Sequence, residues 1–324
     1  MDKLEQSRVP VLRELAQYKD LFDRTLSHED DFLGRALEHV RGRQGKMMRP
    51  LLVLLMAREK GAVGINSLRA AVTLELLHTA SLVHDDVVDD SGERRGQRSV
   101  NAVFGSKVAV LLGDYLLSKS LLVAAETNRI EAVRIISQLG GTLSEGEIYQ
   151  LANIRREEVS EEAYFHIISH KTAALFAACA ELGAITADAK PAYVARARKF
   201  GEIVGTCFQI RDDIFDYYAD ASIGKPTGND MLEGKLTLPA IYAIAHTDRE
   251  DVQRWARRVK SGEAMPHEID SLVEYTKLAG GIAYAERRMD ELHAEACDLL
   301  SSWHNDAVRD ALADYIDFVI ERNI

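Results

Sequence analysis

Six prolines in 324 residues are few, and long runs of β-branched residues are missing, which argues against a sheet-rich fold. Ala, Leu, Glu and Arg are plentiful instead, and the propensities predict an all-α protein. Cysteine is as sparse. Cys179, Cys207 and Cys297 lie far apart and match neither a disulfide framework nor a CxxC metal site, so they read as reduced thiols of a cytoplasmic protein. No stretch reaches 18 uninterrupted apolar residues, and the N-terminus MDKLEQSRVP is charged where a secretion signal would be apolar. Neither a transmembrane segment nor a cleaved leader is expected. Positive charge is short as well: 40 Lys and Arg against 51 Asp and Glu give a net charge of -11. That balance excludes a general nucleic-acid surface. A protein of this kind that binds phosphate must do so through local cations or bound metal.

What is present is helical periodicity, with apolar positions three and four apart through most of the chain. The breaks are short: RGRQGKMMRP at 41–50, KGAVG at 60–64, SGERRGQRS at 91–99 and TADAKP at 186–191. One long polar interruption, SIGKPTGNDMLEGKLTLP at 222–239, has the character of a lid or binding loop. No composition shift or short repeat marks a second domain, so residues 1–324 read as one helical domain.

Acidic residues are concentrated twice. HTASLVHDDVVDD, residues 78–90, ends an apolar helical run in Asp85, Asp86, Asp89 and Asp90. Asp85 and Asp89 share a helix face and Asp86 is turned about 100° aside. More than a hundred residues later, QIRDDIFDYY repeats the spacing with Asp212, Asp213 and Asp216. Like charges so placed repel, and Asp is disfavoured at a helix C-terminus, so the arrangement needs a positive partner. Hard carboxylate oxygens suit magnesium, which commonly bridges carboxylates to a substrate's phosphates. Aimed at one cavity, the two clusters would hold about two to three Mg2+ ions around a diphosphate. Cations stand nearby in sequence: Lys46 and Arg49 in GKMMRP, Arg94 and Arg95 in GERRG, and Lys171, Lys225 and Lys235 later. Arginine offers paired contacts to phosphate and lysine a point charge. His78 lies two turns before Asp85 on the same side.

The blocks GKMMRP, ELLHTASLVHDDVVDDSGERRGQRSVN, LLGDYLL, EGEIYQ, HKTAALF, FQIRDDIFDY and GKPTGNDMLEGKLTLP follow one another along most of the chain. Together they resemble the trans-isoprenyl diphosphate synthases, the family of farnesyl, geranylgeranyl and long-chain polyprenyl diphosphate synthases. The resemblance implies an isoprenoid-synthase-type helical bundle around a deep central cavity, forming a homodimer, with the aspartate motifs facing each other at the cavity mouth. It implies that Asp85, Asp86, Asp89 and Asp212 hold magnesium on an allylic diphosphate, with Asp213 and Asp216 acting less directly. It matches Lys171, Gln209, Lys225 and Lys235 to that diphosphate or its metals, with Arg94 beside it. Lys46, Arg49, His78 and Arg95 match the site for isopentenyl diphosphate, and Thr172 falls near the reacting carbons. The expected reaction is ionisation of the allylic diphosphate, attack by the isopentenyl double bond, and loss of a proton in a site that excludes water. Two departures stand out: Arg98 replaces the usual proline after RRGx, and the ERNI ending lacks the basic tail of some members.

In the same family a bulky aromatic four or five residues before the first motif stops growth at short products. Here those positions hold Ser81 and Ala80, and Ala80 lies about 7.5 Å along the helix axis from Asp85. The small pair implies an open channel and a long-chain product of about C30 to C50, as used for quinone side chains. The floor would then lie deeper, among Leu116, Leu117, Leu121 or Ile148. Release of such a product implies peripheral contact with a membrane without an anchor. The alternatives are a short-chain farnesyl or geranylgeranyl diphosphate synthase, a terpene cyclase, which would not need Lys46, Arg49, His78 and Arg95, and the non-catalytic subunit of a heteromeric synthase, which usually loses a motif.

Overall fold

The computed structural model describes residues 2–42, 45–94, 96–154, 159–218 and 227–322. Helix α1 (Lys3–Arg8) leads through one 3-10 turn into α2 (Leu12–Thr25), followed by α3 (Asp31–Arg41), α4 (Met48–Arg58) and α5 (Ile65–Val88). A two-residue hairpin, β1 (Glu93–Arg94) with β2 (Gln97–Arg98), precedes α6 (Val100–Phe104), α7 (Ser106–Glu126) and α8 (Ile130–Ile154). Helix α9 (Glu161–Ile168) passes through a π turn at Ser169–Ala173 into α10 (Ala174–Thr186), then α11 (Pro191–Phe215). The short α12 (Asn229–Leu232) and α13 (Leu238–Ala245), α14 (Glu250–Ser261), α15 (Pro266–Leu278), α16 (Gly281–Ser301) and α17 (Asp306–Glu321) follow. The all-α expectation is met. The 91–99 break is a tight hairpin, with Glu93 opposite Arg98 and Arg94 opposite Gln97, and Gly96 supplies the positive φ of its turn.

Local sequence explains where helices start. Asp30 and Ser160 accept backbone N–H bonds from Leu33 and Ala163, the ordinary helix N-cap. Pro191 and Pro266 open α11 and α15, where the missing N–H has no helical partner to lose.

The chain folds into two compact units. The first holds residues 1–141, 175–201 and 299–315. Its centre is α4, in which every residue from Leu51 to Ala57 is buried; a helix apolar all round must lie inside. Gly183 of α10 lies so near the Val53 carbonyl that a Cβ would overlap it. Helix α5 packs along α7, and Gly113 makes room for the His84 ring. Trp303 lies 5.5 Å from both Tyr193 and Phe200, centroid to centroid. Each large side chain buried in this way contributes about 1.5–3 kcal/mol. Among the described residues, α7 is long and apolar enough to cross a membrane by length and composition, and it packs here along α5 and α6. Leu111 and Leu122 remain exposed on it.

The second unit holds residues 142–174, 202–298 and 316–324. Helix α13, LPAIYAIA, is its apolar centre and packs against α9, α14 and α15. Gly281 lets α16 begin directly against the Pro239 carbonyl.

Candidate functional site

In the second unit the site begins with a close backbone approach. A Cβ on Gly146 of α8 would come within 2.8 Å of His170 Cβ and 3.2 Å of the Lys171 nitrogen. This is where the helix takes its π turn, which inserts one residue and re-aims the side chains that follow. Lys171 Nζ thereby lies 2.6 Å from Glu147 Oε2 and 3.5 Å from Gln150 Oε1. Thr172 Oγ1 donates to Gln209 Oε1 at 2.7 Å, and Gln209 Nε2 donates to Asp213 Oδ1 at 2.7 Å. Tyr164 OH donates to Asp213 Oδ2 at 2.6 Å. Asp213 is buried with a protein donor on each oxygen, and burial, with the charge of Asp230 next, still pushes its carboxyl well above the usual carboxylate range.

Just past the end of α11, Asp216 organises the chain from residue 227 onward. Asp216 accepts from the backbone N–H groups of Asn229 and Asp230 at 3.0 and 3.1 Å. Asp230, so placed, is pushed up to about 7, first by burial and then by the Asp216 charge, with Lys235 and Lys171 opposing. A cavity of about 150 Å³ lies among these groups, with Lys171, Lys235 and Lys260 alongside Gln209, Asp213 and Asp230. Buried carboxylates with raised pKa values set among lysines beside an opening mark a candidate functional site.

The first unit carries the other motif at the C-terminal end of α5. Asp86 is 1% exposed and ion-paired with Arg94, which the hairpin folds back onto it. Its carbonyl accepts from Asn101 Nδ2 and from the Ser91 N–H, both at 2.9 Å. Asp85 is half-buried and Asp89 exposed, in keeping with the 100° rotation of Asp86. Arg98 turns to the Ala102 carbonyl while its own carbonyl meets His39 Nε2 at 3.0 Å. Arg49 sits in the first turn of α4, its guanidinium 5.0 Å from the Phe176 ring centroid, with Nε buried and lacking an acceptor among the described residues. Lys46 is exposed just before that turn, and His78 is buried in α5. Ala80 is buried and Ser81 bonds to the His78 carbonyl at 2.9 Å. Leu116 is buried, Leu117 and Leu121 are half-buried, and Ile148 is 68% exposed. Arg95, Lys225 and residues 222–226 of the expected lid lie outside the described residues.

The sequence profile of the polyprenyl synthetase family matches residues 30–276. The chain belongs to the polyprenyl synthetase family. It is a prenyltransferase, a trans-prenyl diphosphate synthase. It is 32% identical over 280 residues to the octaprenyl diphosphate synthase of Escherichia coli K12, covering 86% of each chain. Among solved structures it resembles geranylgeranyl pyrophosphate synthase from Bacteroides thetaiotaomicron, at 49% identity and a TM-score of 0.87 over 99% of this chain and 100% of that one. It also resembles a polyprenyl synthase from Caulobacter crescentus CB15 in complex with calcium and isoprenyl diphosphate, at 30% identity and a TM-score of 0.91 over 98% of each chain.

Members of this polyprenyl synthetase family work with magnesium, and the residues fit a hard cation unevenly. Among the described residues no three His, Cys, Asp or Glu side chains form a ready cluster. Asp85, Asp89 and Asp212 reach solvent and carry the hard oxygens such an ion takes. Asp86, Asp212, Asp213 and Asp216 are engaged by Arg94, by Arg322, by Tyr164 and Gln209, and by backbone N–H groups, respectively. Tyr164, Glu147 and Asp230 were missed in the sequence. Asp230 at least lies in the quoted GNDMLEGK block, whereas Tyr164 shows its role only through a contact spanning 49 residues.

Proposed function

We propose that this synthase condenses isopentenyl diphosphate head to tail with an allylic diphosphate such as farnesyl diphosphate, giving a long-chain all-trans polyprenyl diphosphate of the kind attached to quinones. The observation that carries the reading is the chain of contacts Lys171–Glu147, Thr172–Gln209–Asp213–Tyr164, and Asp216 to Asp230, which fixes cations and carboxylates around one opening. Asp85 and Asp89 of the first motif and Asp212 of the second would each hold magnesium, which would supply positive charge to a departing diphosphate. Lys171, Lys225 and Lys235 add their positive charge to the same oxygens. Arg94 locks Asp86 and so fixes the end of α5 that presents Asp85 and Asp89. Thr172, its hydroxyl held by Gln209, falls near the reacting carbons. Lys46, Arg49, His78 and Arg95 take the second diphosphate; the buried Nε of Arg49 is a donor suited to that anion. Of the expected lid, Asp230 and residues 234–237 line the cavity and would help keep water from the allylic cation.

Small residues support the long product: Ala80, buried in α5 about 7.5 Å from Asp85, puts no aromatic ring in the way. A geranylgeranyl-length product is the second reading, favoured by the 49% identity to a structure of that name. Homodimer formation suits the exposed Leu111 and Leu122 of α7, and product release calls for transient membrane contact. Asp85→Ala and Asp212→Ala are each expected to lower turnover by about a hundredfold to a thousandfold, the scale of a lost electrostatic stabiliser, with an unchanged circular dichroism spectrum. Near-normal turnover in both would remove the metal assignment.

A further inference from the structure

A cation from outside the recognised motifs reaches the second aspartate motif. Arg322, just beyond α17, donates from Nη2 to Asp212 Oδ1 and, at 2.9 Å, to the Phe208 carbonyl. Its guanidinium lies 3.9 Å from the Phe208 ring centroid and 5.4 Å from that of Phe215. Its backbone is gripped as well: Arg211 donates from Nε and Nη2 to the Arg322 carbonyl at 3.1 and 3.0 Å. The Arg322 side chain is 12% exposed, whereas that of Asp212 is 40% exposed. Two rings, one carbonyl and a clamped backbone would hold the guanidinium in place without Asp212. It is a fixed charge built beside a candidate metal ligand.

We propose that Arg322 makes Asp212 accept a divalent cation together with a diphosphate in preference to the bare ion, an inference that rests on Asp212 being a metal ligand. A bare ion approaching Asp212 finds the carboxylate already neutralised and a guanidinium beside it. The repulsion between the two cations is poorly screened because Arg322 is nearly buried. A cation arriving with a diphosphate brings net negative charge, and the same guanidinium then attracts the incoming pair. Arg322 thus ties metal loading at the second motif to the presence of the allylic substrate. Arg211, the residue before Asp212, acts through Arg322 as a positioning residue.

The test counts free Mn2+ by electron paramagnetic resonance while the full chain is titrated with this ion, with and without inorganic diphosphate. Arg322→Met is expected to tighten binding of Mn2+ alone by about fivefold or more, and to change binding in the presence of inorganic diphosphate by less than about twofold. Arg322→Gln, which keeps a donor but not the charge, should behave like Arg322→Met, whereas Arg322→Lys should keep the weak binding of the bare ion. Asp212→Asn combined with Arg322→Met should abolish the gain. The proposal is overturned if Arg322→Met leaves the affinity for bare Mn2+ unchanged or weaker, if it tightens binding equally with and without diphosphate, or if the gain survives Asp212→Asn. Asp212→Asn alone reports separately on the underlying assignment: parent-like binding in both conditions would show that Asp212 is no ligand.

Discussion

Asp230→Asn should stabilise the metal-free enzyme, and by an amount that depends on pH. The Asp230 carboxyl moves from an ordinary value of 3.8 to about 7 on folding, because it is buried and faces Asp216. At 1.36 kcal/mol per pH unit, that shift makes the charged form about 4 kcal/mol harder to accommodate in the folded state. The folded chain therefore binds a proton that the unfolded chain has already released. Stability from this group is fully present below about pH 4 and is lost as pH rises to about 7. An asparagine carries no charge at any pH, so its advantage should be about 4 kcal/mol at pH 8 and shrink to less than half of that at pH 5. With an unfolding entropy near 2.1 cal/mol/K per residue, the pH 8 gain corresponds to a rise in Tm of about 6 °C for a chain of this length. Thermal melts by circular dichroism at both pH values, without metal or diphosphate, measure it. Equal shifts at pH 5 and pH 8, or a lower Tm at pH 8, would refute the reasoning. Loss of turnover in the more stable variant would show that the carboxylate is kept for function at a cost in stability.

Two further outcomes are expected. Tyr164→Phe removes the donor from Asp213 Oδ2, a bond that favours the charged carboxylate, and should cost about 1.5–3 kcal/mol in urea unfolding while that carboxylate is charged, the loss shrinking as pH falls and the carboxyl takes up its proton; a loss that does not vary with pH would count against the charged-acceptor reading. Ala80→Phe should shorten the product sharply, seen by chromatography of the dephosphorylated alcohols, and an unchanged product length would remove the channel reading.

The helical nature of the chain, both aspartate motifs and the sideways turn of Asp86 were all legible in the sequence, because they follow from spacing within single helices. The hairpin at 91–99 read only as a break, since two-residue strands leave no periodic trace. Tyr164 and Arg322 could not be found from local pattern. Tyr164 meets Asp213 across 49 positions and Arg322 meets Asp212 across 110, and each is an ordinary residue in its own helix or helix end. The closeness of Gly146 to Lys171 is equally non-local: one missing Cβ sets the aim of a lysine on another segment.

Purified enzyme incubated with magnesium, isotopically labelled isopentenyl diphosphate and farnesyl diphosphate, with products sized after dephosphorylation, tests the central claim most directly. The account predicts a ladder of all-trans products extending beyond the geranylgeranyl length and dependent on magnesium. Incorporation that stops at geranylgeranyl diphosphate would contradict the long-chain reading, and no incorporation at all would contradict the assignment of the site.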